Sequence, residues 1–435
     1  MPTAPWRAAC RPMVTARPPR GFAKFYAPRL FDYYFSSNFV DTAMNSSCEL
    51  NHDYKKRLLT KVDGSHIDSQ SVKDNQVNAK MGGDKLYTIQ ILRGVAAILV
   101  VLFHATMLCS SKFNLAPFNR FFLFGFSGVH IFFVLSGFII VTIHYHDIGR
   151  PSKLISYLKK RFSRIYPNYW LVLTLISLWY LFVINIMPIH ITPTLIYQNL
   201  NLFFPPPKFI NPVSWTLSME VFFYFIFSIL ILNRKLGVLA LSLWLIGVLL
   251  TQFFSIKIPV IPRYVFSKYV ILFWIGMLTA YMLIHMRNIE TVRREWFAWS
   301  LGTLGLILFS ATALAVWGGG IINFTHWIPL FGFGLAGALL IFFTLSNRAE
   351  SFIQNRKILT SLGDASYSIY LIHYPLLLGL IFILRKHVTV DNGFSIAIFF
   401  VVISVIAVIS GWLFHLFLER PLLKFVRGVL FLRAR

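Results

Sequence analysis

Acidic residues are scarce: 16 Asp and Glu stand against 41 Lys and Arg among 435 residues, and all four charged types make up only 13% of the chain. With 57% apolar and 17% aromatic residues, this composition excludes both an ordinary soluble domain and a disordered chain, because too much apolar surface must be buried. Cysteine is almost lacking. Cys10, Cys48 and Cys109 are scattered, which excludes a disulfide framework and offers no zinc or iron–sulfur cage. The excess of 25 positive charges would suggest nucleic-acid binding in a soluble protein. In a membrane protein, bases gathered in cytoplasmic loops account for it, so no nucleic-acid partner is expected.

Long polar stretches are confined to the first 84 residues, which hold 12 of the Lys/Arg and 8 of the Asp/Glu. Their start is basic and free of acids up to Leu30, and 45–80 is polar and without periodicity. This part reads either as a disordered tail or as an over-extended reading frame preceding a start at Met81. From Ile89 on, apolar runs of bilayer-spanning length alternate with short polar segments. Ten such runs are expected, near 89–108, 126–145, 166–187, 214–232, 236–254, 269–286, 297–317, 327–346, 366–384 and 394–418. The connection 188–213 is Pro-rich and amphipathic, suited to lie in the interface or to dip back into the membrane. One set of alternating connections holds 19 Lys/Arg and the other 8, which predicts both termini in the cytoplasm. The expected fold is therefore all-α: a polytopic helical bundle of about ten transmembrane helices, with 428–435 as a basic cytoplasmic tail.

Ionisable groups inside apolar runs are costly and so stand out. Arg93 and His104 share a face of the first span, about 16 Å apart along its axis. Arg93 either snorkels to the interface or serves a site, and His104 is either a packing residue or a base. Glu220 is read as the one carboxylate well inside an apolar run, with Thr216 and Tyr224 at i−4 and i+4 on its side. It serves either as a structural hub or in chemistry. Ser366, Tyr367, Tyr370 and His373 form a polar stripe ended by Pro375, where His373 is either a kink cap or a site residue. The basic segment 146–165 is expected to be an inner-face loop before the third span, carrying Arg161 and Arg164 at the membrane surface, spaced to hold a phosphate or a lipid headgroup. No metal site is expected, since His130, His144 and His146 have no usable spacing with carboxylates.

Six blocks together resemble the acyltransferase-3 family of integral-membrane O-acyltransferases: YTIQILRGVAAILVVLFHA (87–105), GFSGVHIFFVLSGFII (125–140), RFSRIYPNYW (161–170), SWTLSMEVFFY (214–224), SYSIYLIHYPLL (366–377) and ERPLLKF (419–425). The opening block is most similar to bacterial members that decorate exopolysaccharide. The resemblance implies a membrane acyltransferase domain over about 85–427 in the cytoplasmic (inner) membrane. It moves an acyl group, expected to be acetyl, from acyl-CoA to a sugar hydroxyl of a cell-surface polysaccharide or its lipid-linked precursor. It places the family's basic-residue and histidine motif on Arg93 and His104, with Glu220 as their catalytic companion. It assigns donor binding to Arg161 and Arg164, and substrate binding to Ser214, Trp215, Tyr224, Tyr367 and His373. One position departs: His130 stands where the family usually has Asp. A different class, a transporter or flippase for a lipid-linked glycan or small organic anion, would use the same buried charges to line a pathway.

Overall fold

The computed structural model describes residues 87–182, 192–204, 206, 208–254, 264–286, 289, 294–318, 326–354 and 356–432. The segment 1–84, expected to be a tail or an over-extended frame, lies outside the described residues. Where water is absent, a chain can satisfy its own N–H and C=O groups only as helix or closed barrel. Helix is what forms here, and no strand occurs among the described residues.

The long helices are α1 (Tyr87–Phe113), α2 (Ser127–His144, entered through a 3-10 helix at Pro117–Phe126) and α3 (Leu154–Phe182). After a short α4 (Pro193–Leu200) come α5 (Trp215–Leu232), α6 (Arg234–Phe253), α7 (Val270–Met286), α8 (Glu295–Trp317) and α9 (Trp327–Ile341). Two short helices, α10 (Asn347–Gln354) and α11 (Lys357–Asp364), lead to α12 (Ser366–Leu384) and α13 (Gly393–Phe414), and a π-turn at His415–Glu419 joins α13 to α14 (Arg420–Leu432). Eight of the described helices are long and apolar enough to cross a membrane. The two remaining expected runs are also helical: α7 has 17 residues, and α3 begins with a basic half that lowers its apolarity.

One feature differs from the expectations, and two others add detail. The basic segment before the third span is not a loop, since α3 already starts at Leu154. The described part of the C-terminal segment is helical: α14 runs amphipathically to Leu432, and Lys159 Nζ donates to the Leu430 carbonyl (3.2 Å). The end of the 188–213 connection packs into the bundle. Phe209, Ile210, Asn211, Pro212 and Val213 are all buried against α12 and α5.

Helix α2 is central, with 89% of its apolar window buried, whereas α6 and α8 reach only 22% and 28%. The exposed faces of those outer helices are apolar, with Leu239, Leu243 and Ile246 on α6 and Leu304, Ile307 and Leu314 on α8. A bundle with an apolar exterior suits hydrocarbon as its solvent. The tightest crossing joins α2 and α7. A Cβ on Gly137 would run into the Phe273 carbonyl oxygen, and one on Gly276 into that of Val134. Small residues let the two backbones meet, as membrane helices require when no hydrophobic effect drives them together. At the start of α1, the Glu350 carboxylate of α10 accepts the N–H groups of Tyr87 (2.7 Å) and Thr88 (3.1 Å). A distant side chain thus satisfies donors that the helix leaves open.

Candidate active site

Helices α1 and α12 lie side by side and run in the same direction. Near the start of both, Arg93 donates to Gln90 Oε1 (3.1 Å) and to Ser366 Oγ (2.9 Å). Further along both, His104 Nδ1 and His373 Nε2 meet at 3.1 Å. The structure therefore joins two histidines that sequence spacing could not connect.

Their tautomers follow from the acceptors around them. His373 Nδ1 lies 2.5 Å from the Tyr370 carbonyl, which can only accept, so that nitrogen carries the proton and Nε2 of the neutral ring is a lone pair. His104 Nδ1 faces that lone pair and also the Val100 carbonyl at 3.1 Å. It must donate to both, which leaves His104 Nε2 as the basic nitrogen. Ring contacts fix the imidazole further, with Tyr374 edge-on at 5.2 Å and His373 at 5.0 Å between centroids. His104 keeps 8% exposure where His373 has none, so His104 is the accessible member of the pair.

The kink-cap role considered for His373 belongs to another residue. Pro375 lacks an N–H and so releases the carbonyl of Leu371, four residues earlier. Asn211 Nδ2 takes that carbonyl at 2.8 Å, while His373 is held by Tyr370 instead. Asn211 was not anticipated. Its signal was its place in the buried, Pro-flanked end of 188–213.

A second cluster gathers around Glu220. Its carboxylate accepts from Tyr224 OH (2.5 Å) and Ser136 Oγ (3.2 Å), and its field acts on Arg161, Tyr157 and Tyr224. The Arg161 guanidinium stacks on the rings of Tyr157 (5.3 Å) and Tyr224 (5.4 Å) and donates to His144 Nε2. His144 in turn holds Asp147 Oδ2 through Nδ1 at 2.7 Å. This carboxylate–imidazole–guanidinium chain was missed, although His144 and Asp147 stand at i, i+3. Arg161 and Arg164 are buried within the bundle, 7% and 4% exposed. They sit on inward turns of α3, with Tyr367 OH donating to the carbonyl of Ile165 between them and the next turn (2.9 Å).

Arg93 and Tyr367 belong to the Ser366 end of the pair of helices. Eleven residues of α1 place Arg93 about 16 Å from His104 along the axis, too far to share its reacting atoms. Ser214 and Trp215 anchor the buried 209–215 segment. The Ser214 N–H donates to the Asn211 carbonyl (2.9 Å), Tyr370 OH donates to the Val213 carbonyl (2.8 Å), and the Trp215 ring packs on Tyr264 and Tyr269.

A third buried carboxylate cluster forms at Glu419. This residue stands at the end of the last apolar run and is nevertheless buried within the bundle, 3% exposed. It accepts from Ser368 Oγ (2.5 Å) and His415 Nδ1 (2.6 Å), while Arg420 Nε donates to His415 Nε2 (3.0 Å). The i, i+4 pair His415 and Glu419 was the available signal. His130 is enclosed by the rings of Phe126, Tyr269 and Phe333, at 5.3 to 5.7 Å, so an aromatic box accommodates the imidazole at this position. Among the described residues no group of three or more His, Cys, Asp or Glu side chains could hold a metal ion.

Residues 86–416 match the Acyltransferase domain family. The exopolysaccharide production protein ExoZ of Rhizobium meliloti (strain 1021) is 28% identical over 339 residues, covering 74% of this chain and 95% of that protein. No solved structure matches the chain.

Proposed function

Since the chain belongs to the acyltransferase-3 family, we propose that it is a membrane O-acyltransferase that moves an acyl group, acetyl in the first instance, from acyl-CoA to a sugar hydroxyl. The relative's role in exopolysaccharide production supports an exopolysaccharide or its lipid-linked precursor as acceptor. The single observation that carries the reading is the His104–His373 pair, which leaves one accessible imidazole nitrogen lone pair inside an apolar bundle.

In this reading the acceptor hydroxyl attacks the thioester carbonyl while His104 Nε2 takes its proton. The C–O bond forms, the C–S bond breaks, and the imidazolium returns the proton to the departing thiolate. His373 Nε2 accepts the Nδ1–H throughout and stabilises the imidazolium when it forms. The same Nε2 can instead attack first and carry the acyl group, a two-step route using the same tautomer. With the basic connections in the cytoplasm, both termini face inward, in keeping with an inner-membrane protein. Acyl-CoA then enters from the side of Arg161 and Arg164. Half-buried Lys159 and Lys160 at the start of α3 offer the outer contacts for its phosphates, and the buried arginines lie further in. Arg93 acts as a positioning residue through Ser366, and Glu220 through Tyr224 and Arg161.

The test is mass spectrometry of surface polysaccharide from a deletion strain complemented with wild type or His104→Ala, with membrane levels of both proteins measured. An acyl mass increment restored by wild type and absent with His104→Ala is expected. Full acylation by a normally inserted His104→Ala protein would overturn the assignment of the base.

A further inference from the structure

Asn168 lies on α3 and is wholly buried, yet neither its Nδ2 nor its Oδ1 has a hydrogen-bond partner in the protein. No other buried amide side chain among the described residues is left so. Gln90 accepts from Arg93, Asn199 bonds through both of its atoms, and Asn211 donates to the Leu371 carbonyl. Asn199 also shows the ordinary remedy, since its Nδ2 reaches the carbonyl four residues earlier at 2.9 Å. Asn168 does not take it. A carboxamide enclosed in an apolar bundle, with its donors and its acceptor all unmet, carries an unrelieved desolvation penalty until a partner arrives.

Contacts on two sides fix its height in the bundle. Asn168 comes seven residues after Arg161, so the two share a face of α3 within about 20° and lie about 10 Å apart along its axis. Arg164 is one turn below Asn168. The next residue, Tyr169, faces the Ser214 hydroxyl, which puts Asn168 level with the start of α5. There Tyr370 OH donates to the Val213 carbonyl (2.8 Å), and the carbonyl of the same Tyr370 holds His373 Nδ1 (2.5 Å), whose Nε2 meets His104. The register of α3 against α12 agrees. Tyr367 OH meets the Ile165 carbonyl (2.9 Å), and a Cβ on Gly379 would lie 3.2 Å from the Trp179 ring. Both contacts set His373 level with 171–173 of α3, about 6 Å beyond Asn168, while Arg164 lies about 6 Å before it. The unmet amide thus stands midway between the arginines and the histidine pair.

A ligand that reaches from the arginines to His104 passes this amide. In an acyl-CoA the arm between diphosphate and thioester is pantetheine, about 14 Å long when extended, and the rise from Arg164 to the level of His373 is about 12 Å. The arm carries two secondary amides, whose N–H and C=O groups are what a carboxamide complements. We propose that Asn168 binds the pantetheine arm of the donor, with Oδ1 accepting an amide N–H of the arm and Nδ2 donating to an amide C=O, so that the thioester is held at the level of His104. The inference rests on the reading of the protein as an acyl-CoA-dependent acyltransferase. Asn168 exchanges no proton and touches no reacting atom. It sets donor affinity and the placement of the thioester carbonyl.

The experiment uses the full chain in detergent, as wild type, Asn168→Ala and Asn168→Leu. Dissociation constants are measured by calorimetry for two probes: coenzyme A, and 3′-phosphoadenosine 5′-diphosphate, which has the same nucleotide and no pantetheine arm. Acyl transfer from acetyl-CoA to the de-esterified repeating-unit oligosaccharide of the host's exopolysaccharide is measured alongside. Both variants are expected to bind coenzyme A about tenfold or more weakly, as for loss of two hydrogen bonds, and to bind the nucleotide probe as wild type does. Without ligand, Asn168→Leu should melt no lower than wild type, because it removes an unmet amide and breaks no bond. Wild-type affinity for coenzyme A in both variants overturns the assignment. So does an equal loss for both probes, which marks a structural role. Should coenzyme A binding depend on Asn168 as expected while wild type transfers no acyl group, the arm site stands and the acyltransferase reading falls. Failure of wild type to bind coenzyme A rejects both.

Discussion

At the scale of single residues, the chemistry turns on which nitrogen of His104 carries a proton. Two acceptors, the Val100 carbonyl and His373 Nε2, face its Nδ1, so removing one should weaken the tautomer without unfolding the helix. His373→Ala is expected to lower kcat by about ten- to a hundredfold and leave the KM for acyl-CoA unchanged, as for loss of a hydrogen bond that orients a base. His373→Gln, which can present an amide oxygen to the same N–H, should recover part of the loss. A KM effect with unchanged kcat in both variants would assign His373 to substrate binding instead. Arg161 is a second case. Its guanidinium is held by two aromatic rings and His144, so Arg161→Lys cannot reproduce the stacking and the fork. Thermal stabilisation by acetyl-CoA should fall about tenfold or more in apparent affinity in Arg161→Lys. Unaltered affinity would separate this cluster from the donor.

At the scale of elements, two close approaches hold the site helices in place. The α2–α7 crossing depends on Gly137 and Gly276, each against a carbonyl of the other helix. A side chain there must push backbone rather than a flexible group. Gly276→Leu is therefore expected to destabilise the protein by about 1 to 3 kcal/mol or more, as overpacking does, and to lower its melting temperature in detergent. Asn211 gives the second test. Asn211→Leu removes the donor to the Leu371 carbonyl beside Pro375 and leaves it unsatisfied, at about 1 to 3 kcal/mol. The displacement of α12 should reach His373, so activity should fall further than stability alone explains. Equal melting temperatures for Asn211→Leu and wild type would show that the proline kink satisfies itself.

At the scale of the whole molecule, the bundle has an apolar exterior and an interior seeded with polar residues, and basic segments gather at α3, α10, α11 and α14. This distribution predicts a sided topology. In a background lacking Cys10, Cys48 and Cys109, a cysteine at exposed Lys153 or Arg356 should react with an impermeant thiol reagent only after the cells are opened. A cysteine at exposed Asp391 should react in cells whose outer barrier alone is permeable. The reverse pattern would place the basic surface, and with it the proposed donor entrance, on the wrong side for coenzyme A.

Much of this architecture is legible in the sequence. All ten apolar runs are helical where they are described, because a run of about 20 apolar residues has one stable form in a bilayer, and apolarity belongs to each residue by itself. Arg93, His104 and Glu220 were legible as candidates for the same reason, since an ionisable group in such a run announces its cost locally. The segment 154–165 was misread because hydropathy marks where apolarity begins, and helix α3 begins earlier. The burial of Glu419 was not legible, because the π-turn at His415–Glu419 that precedes α14 lies at the end of the apolar run. The pairing of His104 with His373 spans 269 positions, and Asn211 reaches Leu371 across 160. Such contacts depend on which helix faces which and at what height, quantities that no periodicity records. The sequence by itself therefore determined the solvent, the helices and the residues out of place within them. Only the tertiary structure decided which of those residues meet, because a hydrogen bond needs two partners within about 3 Å and packing alone brings them there.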